Sequence, residues 1–133
     1  MILVDAGPLV ALIDADDKHH QACADVMKKL RPPLITVWPA LTEAMYLLED
    51  FRAQDALWQM VLREVLSIES LTAADMTRMR DLMAKYRDLP MDLADAGLVA
   101  AAERLRCRTV FTLDRRDFGL YRPKGIRSIE ILP

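Results

Sequence analysis

Five short runs of branched and aromatic apolar residues, separated by stretches with helical periodicity, constrain this chain more than any other feature. They are residues 2–4 (ILV), 34–37 (LITV), 66–70 (LSIES), 108–113 (RTVFTL) and 125–132 (GIRSIEIL). The continuous apolar run 2–4 reads as a buried strand, 34–37 and 108–113 read as strands, 66–70 reads as a strand or an extended edge, and the alternation of the last run suits a sheet edge. Between them the spacing predicts helices. One starts with Pro8 in its first turn and runs to Ile13; others cover 19–30, 39–50 and 53–65. Thr72 and Asp75 form a capping signal for a helix to about Tyr86, and Pro90 opens one that runs to Leu105. Strands alternating with helices predict an α/β fold, a three-layer α/β/α sandwich around a mainly parallel sheet.

The 133 residues, 53% hydrophobic and 29% charged, suit one domain spanning 1–133 with an ordinary core. No apolar run approaches the roughly 20 residues of a spanning helix, and the opening MILVDAGPLV lacks a basic leader, so a cytoplasmic protein with no membrane role is expected. Cys23 and Cys107 are too few and too far apart for a disulfide framework or zinc site. The adjacent His19 and His20 read as solvated, and the eight Met residues as packing or interface material.

In open α/β sheets ligands bind beyond the carboxyl ends of the strands. Asp5 ends the first strand and Asp114 follows the fourth, although each also suits a turn or helix cap. Glu43 has Ala40, Tyr46 and Leu47 as its helical neighbours, which predicts a partly buried carboxylate. Asp95 borders the stripe of Leu98, Ala101, Ala102 and Leu105 and should look toward the sheet. Asp92, three residues earlier on the same face, reads as a helix cap or an outer contact of the site; Asp117 reads as support for its turn. Four carboxylates brought together would repel and raise one another's pKa, unless a hard divalent cation such as Mg²⁺ or Mn²⁺ lies among them. Acidic clusters holding Mg²⁺ suit phosphodiester hydrolysis.

The formal net charge is −2, yet residues 104–127 carry eight Arg and Lys against Asp114 and Asp117, a local excess of six. Such a segment suits a face for a nucleic-acid backbone, or a merely solvated surface. Gly97 lies inside an apolar helix, where glycine costs about 1 kcal/mol of propensity; a close approach of the backbone to another backbone or to substrate would explain it.

ILVDAGPLVALID, LTEAMYLL, LADAGLVAAAERL and VFTLDRRDF, in that order along nearly the whole chain, resemble the PIN-domain ribonucleases, and more narrowly the VapC-type toxins of bacterial toxin–antitoxin pairs. The resemblance implies a metal-dependent endoribonuclease with Asp5, Glu43, Asp95 and Asp114 as catalytic metal ligands and Thr112 as a supporting hydroxyl. It also implies an RNA substrate, a cognate antitoxin and a homodimer. The alternative is a catalytically silent PIN-like domain that binds RNA or a protein. A phosphotransfer domain using Asp5 would require a second Asp at position 7, which is Gly.

Overall fold

The computed structural model describes residues 1–133 as strands and helices that alternate along the chain. The strands are β1 (Leu3–Val4), β2 (Leu34–Val37), β3 (Leu66–Glu69), β4 (Thr109–Phe111) and β5 (Glu130–Leu132). The helices are α1 (Ala6–Ile13), α2 (His20–Met27), α3 (Trp38–Leu47), α4 (Phe51–Leu62), α5 (Ala73–Lys85), α6 (Leu93–Leu105) and α7 (Arg115–Leu120). All strand pairs are parallel, in the order β3-β2-β1-β4-β5. Leu3 stands opposite both Ile35 and Val110, so the shortest strand is the centre of the sheet.

Successive residues of a strand point to opposite faces, and this divides the core in two. Leu3 and Val110 join one cluster with Leu82, Leu98, Val99, Phe118 and Tyr121, which places α5, α6 and α7 on that face. Val4 and Phe111 join the other with Leu9, Leu41, Ala44 and Leu57, which places α1, α3 and α4 opposite. The three-layer architecture expected from the alternation is therefore present. Burial on both faces is the reason that residues 2–4 and 34–37 carry no polar alternation. No helix is long and apolar enough to cross a membrane.

Helix α6 is the most enclosed helix, with every residue from Ala94 to Ala102 buried. Gly97 lets it approach the sheet: a Cβ there would lie 3.3 Å from Val37 Cγ2 and 3.4 Å from Leu71 Cδ1. The close approach is thus to side chains of β2 and the segment after β3, not to backbone. Helix α5 begins with the expected capping box, Thr72 and Asp75 each bonding the other's backbone. Asp75 and Glu69 in turn receive the guanidinium of Arg104, which also donates to the Ser70 carbonyl at 2.7 Å. Arg78 pairs with Glu103 at 2.6 Å, so two ion-pair networks join α5 to α6.

Several expectations are corrected. The helix expected over 39–50 ends at Leu47, because Glu49 takes a left-handed conformation (φ 55°) and Asp50 caps α4, accepting from the Ala53 N–H. Strand character in 125–132 is confined to the last part of the run, where β5 is an edge strand. His19 and His20 are half-buried, not solvated, and the His20 Nδ1 lies 2.6 Å from the Ala11 carbonyl oxygen, joining α2 to α1.

Candidate functional site

Three of the helices that start at the carboxyl-terminal side of the sheet, α1, α6 and α7, have an aspartate as N-cap. Asp5 follows β1 and accepts from the Ala6 N–H at 2.8 Å. Asp114 follows β4 and accepts from the Asp117 N–H, and Asp92 accepts from the Asp95 N–H at 2.8 Å. Capping satisfies an otherwise unpaired helix N–H, and the positive end of the helix dipole favours the charge. Local chemistry accounts for each aspartate singly. It does not account for their convergence on one cleft.

That cleft, of about 360 Å³, is lined by Asp5, Gly7, Glu43, Asp92, Asp95, Leu113 and Asp114. No lysine or arginine is among the lining residues. A larger hollow, about 710 Å³, lies against Pro32, Pro33, Leu66 and Ile68, but it gathers only Glu64 and Arg63 as charged groups and has no comparable chemistry.

Burial and mutual repulsion have visible consequences. Asp95 is 7% exposed; desolvation and then the charge of Asp92 push its pKa up to about 7, against the lowering effect of a hydrogen bond from Tyr121. Asp5 is likewise buried, and desolvation raises its carboxyl despite bonds from the Ala6 N–H and, at 2.9 Å, from the Thr112 hydroxyl. Thr112 is fully buried and also accepts from the Asp114 N–H at 3.0 Å, so one hydroxyl connects two of the acids. Desolvation raises Asp114 too, with Asp117 adding to it. Carboxyl oxygens of Asp95, Asp114 and Asp117 come within 4.8 Å of one another, a spacing one cation could bridge.

All four acids singled out in the sequence thus line the same cleft, together with Asp92 in its capping position. Glu43 differs from its expected state. It is exposed, because Tyr46 and Leu47, the neighbours expected to bury it, are themselves exposed. It stands at the cleft wall, where partial desolvation and then the charges of Asp5 and Asp92 raise its carboxyl. Asp117 is closer to the acids than a turn support would be. Tyr121 was missed altogether: its hydroxyl donates to Asp95 Oδ2 at 2.9 Å from a fully buried position, and no local pattern distinguishes it from a core aromatic.

The basic segment is not one face. Arg104 is held by Glu69 and Asp75, and Arg106 and Arg108 precede β4, at the opposite end of that strand from Asp114. Arg115 donates to the carbonyls of Ile131 and Pro133. Arg116, exposed at the first turn of α7, is the member whose charge acts on Asp114.

Residues 2–123 match the model of the PIN domain family. The chain is 30% identical to Ribonuclease VapC26 of Mycobacterium tuberculosis, over 99% of this chain and all of that protein. Its fold is similar to that of Mycobacterium tuberculosis VapC20, described as a sarcin–ricin loop cleaving toxin, with a TM-score of 0.79 at 21% identity over 87% of this chain and 92% of that one. A toxin–antitoxin complex from Klebsiella pneumoniae contains a chain similar in fold with a TM-score of 0.71, at 18% identity, over 98% of this chain and 96% of that one. With the ordered strand-end acids and nearly full-length agreement in sequence, the chain belongs to the PIN-domain family and, within it, to the VapC-like proteins.

Proposed function

We propose that this chain is a Mg²⁺- or Mn²⁺-dependent endoribonuclease, the toxin of a toxin–antitoxin pair, acting through Asp5, Glu43, Asp95 and Asp114. One observation carries the reading: the acids meet in a cleft without a basic residue, and their carboxyls are raised by burial and by one another. Retaining several such groups in one place is unfavourable unless a cation neutralises them. The all-oxygen donor set, with no His or Cys, fits a hard divalent ion and disfavours zinc. When bound, such an ion supplies Lewis acidity toward a phosphodiester and activates water.

The chain's own residues do the remaining work. Asp5 is fixed by Ala6 and Thr112, and Asp95 by Tyr121, so two buried donors are oriented before any ligand arrives. Asp114 and Asp117 approach from α7, and Glu43 completes the wall from α3. Arg116, whose charge acts on Asp114, would offer a positive contact for an RNA backbone, one that orients the strand without reading its sequence.

Protein partners belong to the same reading. A cognate antitoxin would silence the site, and exposed Trp38, Tyr46, Leu47 and Phe51 supply apolar surface for a homodimer. Two free, buried cysteines and the lack of any membrane-crossing helix are compatible with work in the cytoplasm. The test is incubation of the purified protein with total RNA in Mg²⁺, Mn²⁺ or chelator, with mapping of new RNA ends. Discrete metal-dependent ends are expected; RNA binding without cleavage in every condition contradicts the proposal.

A further inference from the structure

We propose that Tyr121 is a positioning residue that holds α7 against α6 and thereby sets the spacing of the acids that bind metal. The inference rests on the metal-binding reading above. Helix α7 has Asp114 as its N-cap and Tyr121 as its C-cap, and Asp117 lies between them. The backbone fixes these three relative to each other, through Phe118 N–H to the Asp114 carbonyl and Tyr121 N–H to the Asp117 carbonyl. Asp95, by contrast, belongs to α6. The Tyr121 hydroxyl donates to Asp95 Oδ2 at 2.9 Å, so the same short helix that carries two acids also grips the third.

Nothing about this tyrosine is loose. It is 1% exposed, and its ring meets Tyr86 edge-on at 5.0 Å and Phe118 at 5.2 Å. Tyr86, the C-cap of α5, packs on the Tyr121 ring, but its hydroxyl accepts from the Arg122 N–H at 2.9 Å and makes no bond to Asp95. Rotation of Asp95 away from the cleft would break a buried hydrogen bond and leave the Tyr121 hydroxyl without its partner. A carboxylate pinned through one oxygen keeps the other available, the arrangement by which outer hydrogen bonds orient metal ligands.

The experiment measures Mn²⁺ affinity by electron paramagnetic resonance or calorimetry for wild type, Tyr121→Phe and Tyr86→Phe. Each variant loses one tyrosine hydroxyl from the same aromatic cluster, but only Tyr121 touches Asp95. Loss of an outer-shell partner typically weakens metal binding about 10–100-fold. Tyr121→Phe should therefore raise the Mn²⁺ dissociation constant about tenfold or more, with cleavage recovering at high Mn²⁺, while Tyr86→Phe stays within about twofold of wild type. Thermal unfolding in chelator monitors the fold. Equal weakening by both variants assigns the effect to cluster packing and overturns the inference. So does unchanged affinity in Tyr121→Phe, or a Tyr121→Phe that fails to fold while Tyr86→Phe folds. Absence of Mn²⁺ binding by the wild type refutes the metal-binding reading itself, a separate outcome.

Discussion

Asp95→Asn should make the metal-free protein more stable while abolishing the metal binding proposed for the cleft. Burial and neighbouring charge raise the Asp95 pKa from 3.8 to about 7, so in the folded protein ionisation is resisted over that interval. The stabilisation of the protonated form is fully present below the unfolded value and is lost as pH rises through the folded one. Each unit corresponds to about 1.4 kcal/mol, which bounds the penalty for carrying the charge near pH 8 at about 4 kcal/mol. The cleft opens to water and the new amide must find an acceptor, so about half of that bound, or roughly 2 kcal/mol, is the expected gain. Asparagine still accepts from Tyr121, and Asp5 and Asp114 are at hand for its NH₂ group. For a chain of this length the gain corresponds to a rise in Tm of about 6–10 °C. Near pH 5 the wild-type carboxyl is protonated in the fold, and the gain should shrink to less than half. Differential scanning calorimetry in chelator at the two pH values checks both numbers. Adding Mn²⁺ should then raise the wild-type Tm and leave the variant unmoved, since only a ligand that binds the native state shifts unfolding. An Asp95→Asn protein that is less stable near pH 8, or a gain indifferent to pH, would refute the electrostatic argument.

Other consequences separate structural from functional charges. Arg104→Ala should lower stability by about 1–2 kcal/mol, by leaving Asp75 and Glu69 without their partner, and should leave RNA affinity unchanged in a filter-binding assay. Arg116→Ala should leave Tm within about 1 °C but weaken RNA binding and reduce its salt slope by about 0.7, the contribution of one phosphate contact on a single strand. Gly97→Val should destabilise by about 1–3 kcal/mol, measured by urea unfolding, since even a Cβ there meets Val37 at 3.3 Å.

Much of the fold was legible because its inner strands β1, β2 and β4 are largely buried and therefore appear as mostly apolar runs. The strand order was not: no local signal makes the two-residue β1 the centre of the sheet, with β4 beside it rather than beside β3. The site was legible where an acid directly follows a strand, as at Asp5 and Asp114, since chain direction alone brings both to one edge. Helical periodicity was a poorer guide. It located Asp95 because α6 is enclosed, but it predicted burial for Glu43 on a helix whose Tyr46 and Leu47 remain exposed. Linear charge counting misled in a similar way, since β4 separates Arg106 and Arg108 from Arg115 and Arg116, and Arg104 is committed to α5. Tyr121 was invisible because its partner, Asp95, is 26 residues away in sequence, and only the packing of α7 on α6 brings them together.

The central claim, that the acidic cleft holds a divalent ion required for RNA cleavage, is tested most directly by metal add-back on wild type and Asp5→Asn. Asparagine keeps the cap on α1 through its Oδ1, while its NH₂ group donates to the Thr112 hydroxyl instead of accepting from it, so the variant removes the charge at nearly constant shape. Cleavage should be absent in chelator, return with Mg²⁺ or Mn²⁺ for the wild type, and remain absent for Asp5→Asn at every metal concentration. Cleavage that persists in excess chelator, or full activity in Asp5→Asn, would contradict the account.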